Sequence, residues 1–268
     1  MPYAPINGQD IFFEDSQGPG IPIVMMHGFL MDQRLFDPQV TALAPRYRCI
    51  RFDARAFGQT RWDNKSFNLY DTASDCLGLM DFLGIKEAVV AGMSQGGYAA
   101  LRLALTSPER ILALVLMSTQ GGIDAPDFKA QCKEMRDAWR EHGPLEPILE
   151  ALASSLLGPK EDAQATRHWD NWLPAWRHYS GESIFHAMNN LLERDDITVK
   201  IPSINHPALI THGDADFGVP WHLGYLLKQQ LPNSLEIVTV PHAAHAANYT
   251  HPEIVNKALL NFLENLQL

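Results

Sequence analysis

The chain has 268 residues, 46% hydrophobic and 19% charged, which excludes a disordered or fibrous protein and suffices for one large α/β domain with an insertion. With 31 acidic against 21 basic side chains the formal charge is −10, so a nucleic-acid backbone or an anionic membrane is repelled, and no local basic stripe offsets this. Cys49, Cys76 and Cys132 are odd in number and lack C-x-x-C spacing, so neither a disulfide framework nor a cysteine zinc site is indicated and three reduced thiols are expected.

The N-terminal stretch MPYAPINGQDIFFEDSQGPG lacks the basic and apolar regions of a secretory signal. The run ILALVLM is too short to span a bilayer, so a soluble, cytoplasmic protein is expected. Short apolar runs predict strands over residues 21–26, 47–52, 87–91, 111–117, 206–212 and 235–240. Between them, residues 34–43, 69–83, 95–106, 221–230 and 252–266 carry apolar side chains at spacings of three and four and read as covering helices. Thr250 and Glu253 stand in the T-x-x-E arrangement of a capping box, with Pro252 in the first turn of the last helix. This alternation is that of a mostly parallel, doubly wound sheet. It stops between residues 121 and 203, which hold no strand pattern but four of the six tryptophans, Trp139, Trp169, Trp172 and Trp176. The expected organisation is therefore a core of residues 1–120 and 204–268 with a helical insertion over 121–203.

The stretch AGMSQGGYAA sets Ser94 between Gly92 and Gly96, where a strand gives way to a helix, and matches G-x-S-x-G. So sharp a turn forces the serine into a strained backbone and requires neighbours without bulk two positions away. It lifts the hydroxyl above the sheet edge and aims the helix N-terminus at an adjacent oxygen. Alone the pattern is weak, because a small-residue turn packing helix on strand reads the same. In this context the sequence resembles the α/β-hydrolase family over nearly the whole chain, and the resemblance implies that fold with the insertion as a helical cap.

A serine hydroxyl is a weak nucleophile near neutral pH and needs a general base. After the last strand, VPHAAHAANYTHPE offers His242, His245 and His251. His251 falls in the capping turn and His242 lies close to the strand end, which favours His245 on the loop, with His242 as runner-up. The resembling family carries its histidine in a G-H-small loop before the last helix, and Ala244-His245-Ala246 fits that place with alanine for glycine. An acid that orients the base is expected after the penultimate strand, where THGDADFGVP supplies Asp214 and Asp216. The family pattern G-x-x-D-x-x-V-P lays the acid on Asp216 and leaves Asp214 to cap a turn. The oxyanion donors implied are the backbone N–H of Gln95, after the nucleophile, and of Phe29, in the loop MHGFL, with His27 shaping that loop. DARAFGQT resembles the family's D-x-R-G-x-G-x-S loop with Ala56 for glycine and Thr60 for serine, so either a positive φ at Ala56 costs about 1 kcal/mol or the loop takes another path. Asp53 and Arg55 are read as structural.

These residues point to a serine hydrolase acting on a small, largely apolar ester or lactone, with Ser94, His245 and Asp216 catalytic and no cofactor. The family resemblance leans towards enol-lactonase-like and small carboxylesterase members, while a C–C bond hydrolase or a perhydrolase would use the same residues. A serine at position 94 argues against the dehalogenase and epoxide hydrolase branches, which use a carboxylate there. A zinc site from His242, His245, His251, Asp214 and Asp216 is disfavoured by their spacing and by the lack of H-E-x-x-H. A non-catalytic ligand-binding protein on the same fold is the reading from another class. Trp139, Trp169, Trp172 and Trp176, with Met135, Phe185 and Met188, either line the substrate pocket or fasten the insertion to the core.

Overall fold

The alternation in the sequence becomes one eight-stranded sheet in the computed structural model, which describes residues 2–266. Strands β1 (Tyr3–Ile6), β2 (Gln9–Asp15), β3 (Pro22–Met26), β4 (Arg48–Phe52), β5 (Ala88–Met93), β6 (Ile111–Met117), β7 (Ala208–Gly213) and β8 (Val238–Val240) lie in the order 1-2-4-3-5-6-7-8. β3 to β8 are parallel, and β1 and β2 add an antiparallel edge. β1 and β2 precede residue 21, where the strands expected from the sequence begin. Asn7 and Gly8 join them, both at positive φ (49° and 79°), as a two-residue hairpin whose twist matches its strands requires. The strand expected over 235–240 is shorter, because pairing with β7 lapses between the Ala208–Ser234 bridge and Val238.

The period of two along the strands sorts the core into two layers. Ile23, Met25, Val89, Ala91, Val115 and Leu209 share one cluster with Leu43, Val255, Leu259 and Phe262. Val24, Met26, Val90, Leu114, Leu116 and Ile210 face the other way, against Cys76, Leu79, Leu101 and Leu227. Fully burying each such side chain contributes roughly 1.5–3 kcal/mol, so both sheet faces demand helices.

Those helices are α1 (Asp37–Leu43), α2 (Leu69–Phe82) and α3 (Gln95–Thr106). Between β6 and β7 come α4 (Pro126–His142), α5 (Glu146–Leu157), α6 (Ala163–Trp176) and α7 (Gly181–Leu192), with no strand among the described residues of that segment. α8 (Trp221–Gln230), a single turn α9 (Ala247–Thr250) and α10 (Pro252–Glu264) complete the chain. A capping box does form at α2, where Asn68 accepts from the N–H of Tyr70 and Asp71 while Asp71 accepts from the Asn68 N–H. At α10 the cap position belongs to His251 rather than Thr250, because α9 forms first and Thr250 closes it, its hydroxyl donating to the Ala246 carbonyl at 3.2 Å. Among the described residues no helix is long and apolar enough to cross a membrane.

The 53–60 loop keeps the left-handed path despite its alanine, with Ala56 at φ 74°. Its frame explains why. The Asp53 carboxylate accepts from the N–H of Gln33 (2.8 Å) and Gln59 (2.7 Å), and Arg55 pairs with Asp75 at 2.7 Å. Ala56→Gly is therefore expected to raise stability by about 0.5–1 kcal/mol, read as a higher urea midpoint at unchanged slope; a lower midpoint would show that the alanine is not strained.

Candidate active site

The strand order reverses between β3 and β5, and in open α/β sheets such a switch point, at the carboxyl ends of the strands, is where ligands bind. β5 ends at Met93 and α3 starts at Gln95, which leaves Ser94 alone at the turn with φ 51° and ψ −114°. Few L-residues adopt such a backbone, and it persists only where the surroundings enforce it. They do so here by close approach. A Cβ on Gly96 would lie 2.0 Å from the Met26 carbonyl oxygen, and one on Gly92 2.3 Å from the Gly96 carbonyl oxygen. The Ser94 N–H donates to the Met117 carbonyl at 2.9 Å, and its own carbonyl accepts from the Tyr98 N–H (3.0 Å) and the Thr119 hydroxyl (3.1 Å).

Asp216 follows β7 by three residues and His245 follows β8 by five, so both stand on the edge that carries Ser94. His245 Nδ1 donates to Asp216 Oδ2 at 2.8 Å, and Asp216 Oδ1 accepts from the Val219 N–H at 2.8 Å. The pair is buried. Burial pushes the Asp216 carboxyl up, but the neighbouring His245 charge and hydrogen bonds from His212 and His245 outweigh it and hold the group well below the usual carboxylate range. Asp214 is exposed and accepts from the His242 N–H at 2.6 Å, where His242 turns at φ 60°. Among the described residues no hydrogen bond joins Ser94 to His245. The structure thus brings Asp216 and His245 together as a hydrogen-bonded pair and places Ser94 on the same edge without a hydrogen bond to it; in unliganded sites such a contact often tightens only when substrate enters.

The loop after β3 runs beside the serine: a Cβ on Gly28 would lie 2.6 Å from Met93 Sδ and 3.4 Å from Ser94 Cβ. The chain then reverses through Leu30, fully buried at φ 64°, with the Met31 N–H donating to the Gly28 carbonyl at 3.2 Å. Neither the Phe29 N–H nor the Gln95 N–H has a hydrogen-bond partner among the described residues. His27 braces this loop. Its Nε2 accepts from the Ala54 N–H at 2.9 Å and its Nδ1 donates to the Gly28 carbonyl at 2.8 Å, which fixes a neutral ring, and burial pushes its pKa down.

The aromatic residues of 121–203 occupy different places. Trp139, Trp169, Trp172, Trp176 and Met188 are buried in the cluster that also holds Phe29 and Met93, with Met135 packed against it. The Trp139 and Trp169 indoles donate to the carbonyls of Tyr179 (3.3 Å) and Gly158 (3.0 Å), whereas those of Trp172 and Trp176 have no partner among the described residues. Trp172 lies 5.6 Å from the Tyr249 ring and under the Arg34 guanidinium at 5.0 Å. Phe185 sits beneath the guanidinium groups of Arg136 and Arg140, at 5.0 and 3.8 Å. A groove of about 1120 Å³ lined by Leu235, Val238, Ile254 and Phe262 includes none of these residues. No group of three or more potential metal ligands occurs among the described residues.

Two partners of the site are absent from the sequence reading. His212, fully buried on β7, lies 3.2 Å from Asp216 Oδ2. Asn248 donates to the Leu35 carbonyl (3.3 Å) and to Gln39 Oε1 (3.2 Å), tying α9, which follows the His245 loop, to α1 and the turn before it. The histidine before G-D-A-D was visible, but a strand reading gives it no task.

Residues 21–252 match the model of the alpha/beta hydrolase fold family. The chain is 28% identical over 266 residues, 98% of each protein, to RutD of Azorhizobium caulinodans, which is provisionally named a carbamate hydrolase. A thermophilic esterase from Thermogutta terrifontis, solved with malate bound, matches with a TM-score of 0.88 and 26% identity over 100% of this chain and 98% of its own. The enol-lactonase from Burkholderia xenovorans matches with a TM-score of 0.90 and 24% identity over 98% and 100% of the two chains, a likeness of fold alone.

Gly96→Ala is expected to destabilise the protein by about 1–3 kcal/mol, because its Cβ meets backbone that cannot swing aside. Urea unfolding checks this, and an unchanged midpoint would show that α3 can move off β3 without cost.

Proposed function

The chain belongs to the alpha/beta hydrolase fold family, and from that premise we propose that it is a serine hydrolase that cleaves a small, largely apolar carboxylic ester or lactone through an acyl-enzyme. The observation that carries this reading is the buried 2.8 Å pair of His245 and Asp216 on the edge where Ser94 is held at its strained turn. Ser94 Oγ forms a bond to the acyl carbon while His245 Nε2 takes the hydroxyl proton and Asp216 offsets the imidazolium charge. The carbonyl electrons move onto oxygen, which the N–H groups of Phe29 and Gln95 receive, each donor contributing about 3 kcal/mol. His245 then returns the proton to the leaving oxygen, the acyl–oxygen bond breaks, and water repeats the sequence on the acyl-enzyme.

Residues 121–203 act in this reading as a cap. The Ala246 N–H, next to the proposed base, donates to the Leu156 carbonyl at 2.8 Å, and Trp172 reaches Tyr249 and Arg34. The segment is thus fastened to the loops that bear His245 and Phe29. Its buried tryptophans and Met188 supply an apolar wall for the acyl or alcohol part.

Ser94→Ala is expected to lower turnover at least about 10³-fold and to abolish labelling by a fluorophosphonate. Assays across p-nitrophenyl esters, lactones and vinylogous diketones choose among ester, lactone and C–C bond cleavage, and undiminished turnover by the alanine variant ends the serine reading. Because neighbouring charge and hydrogen bonds hold the Asp216 carboxyl well below the usual carboxylate range, its own protonation is expected to add no step to the fall of kcat/KM with decreasing pH above about pH 4. Burial pushes the Asp53 carboxyl up to about 7, so a profile that still steepens to second order above about pH 4 in an Asp53→Asn variant would take Asp216 out of its role.

A further inference from the structure

Every residue of β7 is buried, and most are apolar or small: Ala208, Leu209, Ile210, Thr211, His212 and Gly213. An imidazole in such a strand loses its hydration and must recover it through hydrogen bonds. His212 does so on one side only. Its Nε2 donates to the Val219 carbonyl at 2.7 Å and lies 3.2 Å from Asp216 Oδ2, while Nδ1 has no partner among the described residues. Since Nε2 faces two oxygens, it carries the hydrogen, and Nδ1 presents a bare lone pair towards α8. Room for the ring comes from Gly224, where a Cβ would stand 2.3 Å from Nδ1.

The contacts close a ring. Asp216 Oδ1 accepts from the Val219 N–H at 2.8 Å, the Val219 carbonyl accepts from His212, and the same His212 nitrogen flanks Asp216 Oδ2, which holds His245 Nδ1 at 2.8 Å. The peptide groups on both sides of Val219 are thus held, one by the acid and one by the histidine. The carboxylate cannot rotate about its Cβ–Cγ bond without giving up the Val219 N–H, and residues 216–219 cannot lift without breaking the bond to His212. We propose that His212 is a positioning residue, clamping the Asp216–Val219 turn to β7 so that Asp216 Oδ2 stays on His245 Nδ1, a role that rests on the serine-hydrolase reading above.

The test uses the whole chain with p-nitrophenyl butyrate as probe, together with the low-field proton resonance of the His245–Asp216 hydrogen bond. His212→Phe fills the ring volume without a donor, and His212→Gln offers an amide N–H near the place of Nε2. The phenylalanine variant is expected to lower kcat about tenfold or more with KM within about twofold, and to shift or broaden the resonance. The glutamine variant is expected to recover most of both. Wild-type kcat and resonance in His212→Phe, or equal impairment of the two variants, would overturn the proposal. Should His212→Phe not fold, Gly224→Ala presses on the ring from behind and is expected to give the same loss, whereas a folded variant with unaltered kcat and resonance overturns the clamp. Ser94→Ala and His245→Ala serve as controls: if either keeps wild-type turnover, the serine reading has failed, and the resonance alone then decides whether His212 holds Asp216 on His245.

Discussion

Everything at the site follows from how closely α3 approaches β3. The first turn of α3 lies so near the end of β3 that position 96 has no room for a side chain beside the Met26 carbonyl oxygen, and the chain can enter the helix only through a residue at φ 51°, ψ −114°. Ser94 carries that strain, which is of the order of 1–3 kcal/mol for a non-glycine residue in a rare region. In return it stands at the head of α3, next in sequence to Gln95, whose N–H has no hydrogen-bond partner among the described residues. The same crowding governs the β3 loop, where Gly28 passes against Met93 and Ser94 and the reversal at Leu30 again uses a left-handed non-glycine residue. Strain clusters at the switch point because two strands and a helix converge there, and the well-packed sheet beneath sustains it.

The second determinant is how the chain treats two aspartates two residues apart. Asp214 stays at the surface and holds a backbone N–H, so its charge remains solvated. Asp216 turns inward, where an unpartnered carboxylate would neutralise itself by taking up a proton. Three contacts prevent this: the Val219 N–H, the His245 ring and the nearby His212 N–H. Stabilisation of the anion exceeds the burial penalty, which is the condition for an acid that orients a histidine without competing for its proton.

The parallel strands were legible because complete burial on both sheet faces writes near-continuous apolar runs such as ILALVLM, and the turn at Ser94 because only small residues fit beside it. Burial and partners, which separate Asp214 from Asp216 in the structure, are not in the sequence, where only a family pattern favoured one of them. Other features depend on tertiary context. Thr250 and Glu253 have the spacing of a capping box, but α9 claims Thr250 for its own last turn. Ala56 was open between strain and a detour, and the Asp53 carboxylate, gripping two backbone N–H groups, decides for strain. The shortened β8 reflects an edge position, where Leu235 is half exposed and no further strand rewards pairing.

The tryptophans of residues 121–203 show where periodicity stops being informative. At helical spacing all four looked equivalent, as pocket wall or as glue. Their indole N–H groups divide them. Trp139 and Trp169 donate to carbonyls of Tyr179 and Gly158 within the same segment, so they tie that segment to itself. Trp172 instead meets Tyr249 on α9, four residues beyond His245, and Arg34, five beyond Phe29, so its ring bridges the segments that follow the proposed base and oxyanion donor. Two indoles thus hold the helical segment to itself and a third fastens it to the segments that follow Phe29 and His245, which is the contact the proposed cap depends on.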